Sequence, residues 1–474
     1  MNIRYLQGRA PELPHRLNFL NGNKLDLLQW LRVLPDQRYV ARAQWKGRTV
    51  LAKMFVGSRA QRHFQRELTG AQNLADSGLP TPKLLASDYD HAFGGWLLFE
   101  YLDDAESLEQ RWQQVAHLPL LAAKQRNVLQ DALGCIAQMH QQGVWQSDLH
   151  LDNFLLHQGE LYVIDGGGVE RQQAGKLLTA AQAQHNLAVF VAQLPPLLDD
   201  WLAVLLQLYV EQGGQPAVEL TGLRAEIAKI RRWRIRDYLK KTARDCSLFS
   251  VRKSLSGICA IQRARLDAMT ELIERPDSFI ASGHIYKTGG AATVARVEHQ
   301  GRQWIIKRYN IKHFLHWLKR CWRPSRAWHS WQAGYLLQME GIAVAQNIAV
   351  RETRHLGLRG TAWLVSEYHG EQDLIARFAP YVDDGAVPEA DVQQLQVLLQ
   401  AMIRAKISHG DLKGHNILWH NDSCLLIDLD AVRQHRDHAS FARAFARDRA
   451  RLLRNWPQTS RLYQLLNEQL PQVD

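Results

Sequence analysis

His409-Gly410-Asp411-Leu412-Lys413-Gly414-His415-Asn416-Ile417-Leu418, followed by Leu425-Leu426-Ile427-Asp428-Leu429, sets an aspartate, an asparagine five positions on, and a second aspartate twelve beyond that. The same spacing occurs earlier, in Ser147-Asp148-Leu149-His150-Leu151-Asp152-Asn153-Phe154-Leu155-Leu156 and then Tyr162-Val163-Ile164-Asp165-Gly166. Upstream of each lies an apolar, strand-like run carrying a lysine: Val50-Leu51-Ala52-Lys53-Met54-Phe55 and Trp304-Ile305-Ile306-Lys307-Arg308-Tyr309. A polar turn precedes each run (Trp45 to Arg48; His299 to Arg302), as in a hairpin. Ser-Arg-Ala follows each, at 58–60 and 325–327, and opens a helical stretch that ends at Gly78 or Gly341. A strand ending in Glu-Tyr (Glu100-Tyr101; Glu367-Tyr368) comes next. One plan is written twice.

These residue types in this order fit phosphoryl transfer. That reaction asks for clamped phosphates, a held Mg²⁺ and an aligned hydroxyl rather than for covalent help. A strand lysine supplies a point charge for the phosphates, and a loop aspartate takes the hydroxyl proton. An asparagine and a strand-end aspartate offer the oxygen donors that hard Mg²⁺ prefers. Lys53, Asp148, Asn153 and Asp165 fill these positions in order, and so do Lys307, Asp411, Asn416 and Asp428.

Both halves resemble the protein-kinase-like fold and, more narrowly, the bacterial lipopolysaccharide kinase family of the Kdo/WaaP type. The second half carries the closer resemblance, through Gly301 to Asn310, Pro324 to Trp328, His409 to Lys413, Leu426 to Ala431 and the tail Arg447 to Trp456. The resemblance implies an α+β architecture of two tandem protein-kinase-like domains, each a small antiparallel sheet lobe plus a mainly helical lobe. It also implies an ATP- and Mg²⁺-dependent kinase whose acceptor is a heptose or Kdo sugar of the lipopolysaccharide inner core. Asp411 and Asp148 are then the acceptor-orienting bases, with Asn416, Asp428, Asn153 and Asp165 on the metal. Lys307, Lys53, Glu67, Gly289, Gly290 and Lys413 are assigned to the ATP phosphates.

The halves depart from the pattern differently. The first has no glycine-rich phosphate loop at Pro35 to Tyr39, and has Gln146-Ser147 where the second has His409-Gly410. It does offer Glu67, fourteen residues after Lys53, which reads equally as a helix partner for that lysine or as a solvated residue. The second has Gly289-Gly290 at the phosphate-loop position, but Ser330 stands opposite Glu67. Chemistry is therefore expected first in the second half, with the first active or ATP-binding. His409 reads as a brace for the loop, and Asp430 as a loop hydrogen-bonding residue rather than a metal ligand. A protein serine/threonine kinase is the alternative, favoured by Lys413 two residues after Asp411. It is disfavoured by the absence of an Ala-Pro-Glu segment and by the shortness of the chain after Asp428. A tandem with one pseudokinase half acting as a scaffold is a third reading.

Composition bounds the rest. In 474 residues, 46% hydrophobic and 22% charged, there is chain for two large domains, and disordered, collagen-like and coiled-coil classes are excluded. The break is expected near 275, giving domains 1–275 and 276–474. Basic residues exceed acidic by 58 − 47 = 11, which favours anionic partners. No recognisable nucleic-acid module accompanies that charge, so no nucleic acid is expected. Five dispersed cysteines without a CxxC pair read as reduced thiols. With no signal-peptide pattern and no spanning segment, the expectation is a cytoplasmic protein, peripheral on the inner membrane. The basic, aromatic segment 307–331 reads either as a packed helix with a solvated face or as a patch for the anionic membrane surface. A second basic run lies between Arg224 and Lys253.

Overall fold

The computed structural model describes residues 3, 6–9, 11–13, 15–18, 24–172, 175–310, 324–355 and 357–473. They form two compact units, Met1–Arg232 and Trp233–Asp474.

In the first unit, six antiparallel strands run in the order His15–Asn18, Lys24–Leu34, Arg38–Trp45, Arg48–Phe55, Gly94–Glu100, Leu84–Asp90. The lysine-bearing strand is central, paired with Arg38–Trp45 on one side and Gly94–Glu100 on the other. The helix Ala60–Asp76 packs on this sheet through Ala60 and Phe64. The helical lobe is built on Ala123–Gln141, Ala180–Val191 and Leu202–Glu211, around a separate apolar core.

In the second unit, seven strands run in the order Phe249–Ser254, Gly257–Gln262, Asn347–His355, Leu358–Glu367, Arg302–Tyr309, Ala292–His299, His284–Lys287. Helix Arg326–Met339 packs on the sheet, and Glu389–Ala405, His438–Leu453 and Arg461–Gln469 build the helical lobe. Each unit is thus an antiparallel sheet lobe with a mainly helical lobe, an α+β kinase-like fold present twice.

Local chemistry explains the repeated hairpin. Trp45 pairs with Arg48, and His299 with Arg302, which leaves the two-residue turns Lys46-Gly47 and Gln300-Gly301. All four turn residues have positive φ, from 49° to 74°. Two left-handed residues in succession make the mirror-image turn that matches strand twist, and glycine adopts it without a Cβ penalty.

The division between units lies ahead of the break expected near 275. Residues 249–262, assigned to the first domain by that break, belong to the second unit. They form a hairpin whose second strand pairs with Asn347–His355, as in Ala260 with Val350, and so extend the second unit's sheet. The isolated hairpin had no sequence signal for its distant partner strand. Helix Leu220–Lys241 runs through the division. Arg231, within the second basic run, is buried and ion-paired to Asp199 rather than solvated.

Of segment 307–331, residues 311–323 lie outside the described residues, including Lys312, Phe314, Trp317, Lys319, Arg320, Trp322 and Arg323. Of the described flanks, Ala327, Ser330 and Trp331 are buried, whereas Arg308 keeps a side chain 40% exposed. Trp331 is fully buried, packed edge-on against Phe249 and Tyr335 at 5.8 and 4.8 Å between ring centroids, and donates to the Thr242 carbonyl. Arg326 donates to the Ala291 carbonyl at 2.9 Å. Trp331 therefore belongs to the packed lobe and not to a surface patch, and Arg326 lines the cavity of the second unit.

Candidate active site

In the second unit, strand Arg302–Tyr309 points Lys307 at the loop that follows Ser423–Leu426. Its ammonium lies 2.5 Å from Asp428 and 3.0 Å from Asp430. Asp430 is held in turn by hydroxyl donors Ser330 at 2.8 Å and Tyr309 at 2.7 Å. The Tyr309 phenol is raised well above its usual pKa by burial and then by Asp430, so it stays a donor.

In the first unit, Lys53 pairs with the buried Glu67 and lies 3.2 Å from Asp165. Glu67 is therefore the lysine's partner and not a solvated residue. Aligning Gly78 with Gly341 and Asp148 with Asp411 gives one offset, 341 − 78 = 411 − 148 = 263. Under it Glu67 matches Ser330, and Gly167 matches Asp430. A Cβ on Gly167 would meet Glu67 Oε2 at 2.8 Å. Each lysine thus has two carboxylates, but the second comes from the helix in one unit and from the loop in the other. Asp430, expected as a loop hydrogen-bonding residue, accepts from Ser330 and Tyr309 and in addition pairs with Lys307, which its position in the sequence did not indicate.

Asp411 and Asp148 differ in their surroundings. Asp411 accepts from Arg451 at 2.8 Å and lies 3.3 Å from Lys413. Arg451 comes from helix His438–Leu453, as does Asp448, three residues earlier on the same face. Asp448 accepts the backbone N–H of His409 at 2.6 Å and that of Gly410 at 3.0 Å. His409 is buried, which lowers its pKa, and its Nε2 sits 2.9 Å from the Ile427 carbonyl. The ring therefore donates as neutral imidazole and braces the loop. Gln146 does the matching work in the first unit, donating to the Asp165 carbonyl at 2.8 Å. Asp148 is exposed there and has no ion pair among the described residues.

The asparagines have the same spacing and opposite orientations. Asn416 donates its amide nitrogen to the Asp411 carbonyl at 2.8 Å, which leaves its oxygen facing away. Asn153 instead accepts the His150 backbone N–H on its oxygen at 2.7 Å, which leaves the amide nitrogen outward. These assignments follow from the backbone partners, since a carbonyl only accepts and an N–H only donates. Outward oxygen suits a cation, and outward NH₂ does not. Asp165 also has the Arg38 guanidinium 3.8 Å away, beside Lys53. Burial alone would raise its carboxyl, but Lys53 and then Arg38 hold it down to about 2. The oxygen donors of the second unit fit a divalent cation, and those of the first do not.

A cavity of about 430 Å³ in the second unit is lined by Lys307, Asn416, Asp428 and Asp430 at its polar end and by Val294, Leu364 and Leu418 at its apolar end. Gly289 and Gly290, both with positive φ and open space where a Cβ would stand, form the turn whose flanks Lys287 and Ala291 line this cavity. The first unit has a comparable cavity of about 370 Å³, lined by Val40, Leu51, Phe99 and Leu155 together with Lys53, Arg38 and Asp165.

A family model described as the lipopolysaccharide kinase (Kdo/WaaP) family matches residues 39–190 and 278–470, one segment in each unit. The chain belongs to the lipopolysaccharide kinase (Kdo/WaaP) family. It is therefore a phosphotransferase acting on a sugar hydroxyl, with the family's domain present twice. A solved structure entitled "WaaP in complex with acyl carrier protein" matches at 21% identity and TM-score 0.32, covering 45% of this chain and 88% of that one. No curated protein matches. Among the described residues, no helix is long and apolar enough to cross a membrane.

Proposed function

We propose that this lipopolysaccharide kinase transfers the γ-phosphate of ATP to a hydroxyl of an inner-core sugar, heptose or Kdo, and that the second unit carries the chemistry. The observation that carries the reading is the outward oxygen of Asn416 beside Asp428 and Lys307 in one cavity. Asn416 and Asp428 would hold Mg²⁺, which when bound neutralises phosphate charge. Lys307, kept in line by Asp428 and Asp430, clamps the phosphates, and the Gly289-Gly290 turn covers them with backbone N–H groups. Asp411 orients the sugar hydroxyl and receives its proton. Lys413, 3.3 Å from Asp411, brings positive charge to the side where the phosphoryl group arrives. The first unit, with Lys53, Glu67, Asp148, Asn153 and Asp165 in the matching positions, serves as a nucleotide-binding domain. Work at the cytoplasmic face of the inner membrane suits a glycolipid acceptor, and the chain's net positive charge suits an anionic surface.

The test is transfer of label from Mg-ATP to dephosphorylated core lipopolysaccharide, with a generic protein acceptor in parallel. Label enters the glycolipid, persists in Asp148→Asn and is lost in Asp411→Asn. Label only in protein would refute the acceptor, and loss in Asp148→Asn alone would move the chemistry to the first unit.

A further inference from the structure

Arg38 is the residue that most distinguishes the first cleft from the second. It pairs in register with Phe55 at the start of its strand, as Ala292 pairs with Tyr309 in the second unit. The same backbone position therefore carries a guanidinium in one cleft and a methyl group in the other. The Arg38 side chain is 20% exposed, with its guanidinium 3.9 Å from Glu67 and 3.8 Å from Asp165. It shares these two carboxylates with Lys53, so Asp165 has two protein cations within 4 Å. In the second cleft Asp428 pairs with Lys307, and the second cation, Arg326, lies 3.7 Å from Asp430 instead. Arg32 lines the same cavity.

The donors that would hold a divalent cation are turned away from that task. Asn153 spends its oxygen on the His150 N–H, and Asp165 faces two cations of the protein. On the acceptor side, the lysine two residues after Asp411 is replaced by His150, and Asp148 has no counterpart of the Arg451 contact among the described residues. The cavity is also lined by the apolar side chains of Val40, Leu51 and Phe99 from the sheet and Leu155 from the other lobe, an apolar lining that suits a purine.

We infer that the first unit binds an adenine nucleotide without a divalent cation, seating its phosphates on Arg38 and Lys53, and does not transfer them. A bidentate guanidinium matches phosphate oxygens in geometry and supplies the charge that Mg²⁺ would otherwise bring. The fold then carries one cleft for transfer and one that reads nucleotide as a ligand. This inference rests on the first cleft's own residues and stands whether or not the second unit phosphorylates a sugar.

The experiment is calorimetric titration of ATP into the full chain, in EDTA and in Mg²⁺, with transfer assayed separately on the same preparations. In EDTA, wild type and Lys307→Ala each bind one equivalent. Arg38→Ala weakens that binding about tenfold or more, as expected for losing a charge-assisted phosphate contact. Asp165→Asn guards against a folding artefact, because it separates the two roles of that carboxylate. Removing a charge that competes with phosphate for Arg38 and Lys53 leaves EDTA binding equal or tighter, whereas removing a metal ligand weakens binding in Mg²⁺. The inference is overturned by wild type that binds nothing in EDTA. It is equally overturned by EDTA binding that survives Arg38→Ala and disappears in Lys307→Ala, or by Asp165→Asn weakening Mg-ATP binding at the first site.

Discussion

The exchange of Glu67 and Gly167 for Ser330 and Asp430 can be tested by transplanting one arrangement into the other unit. Asp430→Gly removes the carboxylate 3.0 Å from Lys307 and leaves that lysine with Asp428 alone. Hydrogen bonds to charged groups contribute about 1.5–3 kcal/mol, so the lysine's loss of alignment corresponds to roughly 10- to 150-fold in kcat/KM. The buried Tyr309 and Ser330 hydroxyls lose their acceptor at the same time. Each costs about 1–3 kcal/mol of stability if it finds no new partner, or a few degrees in melting temperature for a unit of this size. Ser330→Glu added to Asp430→Gly returns a carboxylate from the helix, as Glu67 supplies it. Glycine at 430 is required because a Cβ at the matching Gly167 would stand 2.8 Å from the glutamate oxygen. The assay is kcat/KM for transfer to core lipopolysaccharide together with thermal unfolding. The double variant should recover at least tenfold over the single. A single variant within twofold of wild type, or a well-folded double variant no better than the single, would refute the argument.

Three further outcomes are expected. Arg451→Ala should lower kcat about tenfold with nucleotide affinity unchanged, because the half-exposed Arg451 orients Asp411 and touches no nucleotide-cavity residue; a fall in ATP affinity of the same size would reject that assignment. Asp448→Ala strands the His409 and Gly410 N–H groups in the interior, so the second unit should lose about 2–5 kcal/mol of stability in denaturant unfolding; a loss within error of zero would mean the loop re-pairs. His140 is fully buried between Asn186 and Tyr209, and burial lowers its pKa to about 4. The unfolded chain therefore binds the extra proton first. The stability His140 confers is complete above about pH 6.5 and falls by about 3 kcal/mol as pH drops towards 4. His140→Gln should flatten that part of the unfolding profile for the first unit, and an unchanged slope would assign the proton uptake elsewhere.

The duplicated plan, the hairpins and the order of lysine, aspartate, asparagine and aspartate were legible in the chain because they rest on local rules. A left-handed pair such as Gln300-Gly301 announces a turn from two residues, and an apolar run around Lys307 announces a strand from six. The resemblance to the family rested on the motif segments that carry those spacings, and the family-model match over 39–190 and 278–470 established it. Partnerships between distant segments were not legible in the same way. Strands 249–262 read as the end of the first half, because nothing local names Asn347–His355 as their neighbour. Arg451 and Asp448 lie some forty residues from the loop they hold, and only the packing of His438–Leu453 brings them to Asp411. Arg38 reads as one more basic residue until the sheet register sets it against Asp165.

Asn153 and Asn416 mark the boundary between the two kinds of knowledge. Sequence fixes both at five residues after an aspartate and twelve before another, and so fixes where each amide stands. Which end of the amide faces the cleft is a side-chain torsion, and it is set by whether a carbonyl or an N–H lies behind it. That depends on how the whole loop is held by the helices beneath, and so the tertiary structure alone separates the cleft that suits a divalent cation from the one that does not.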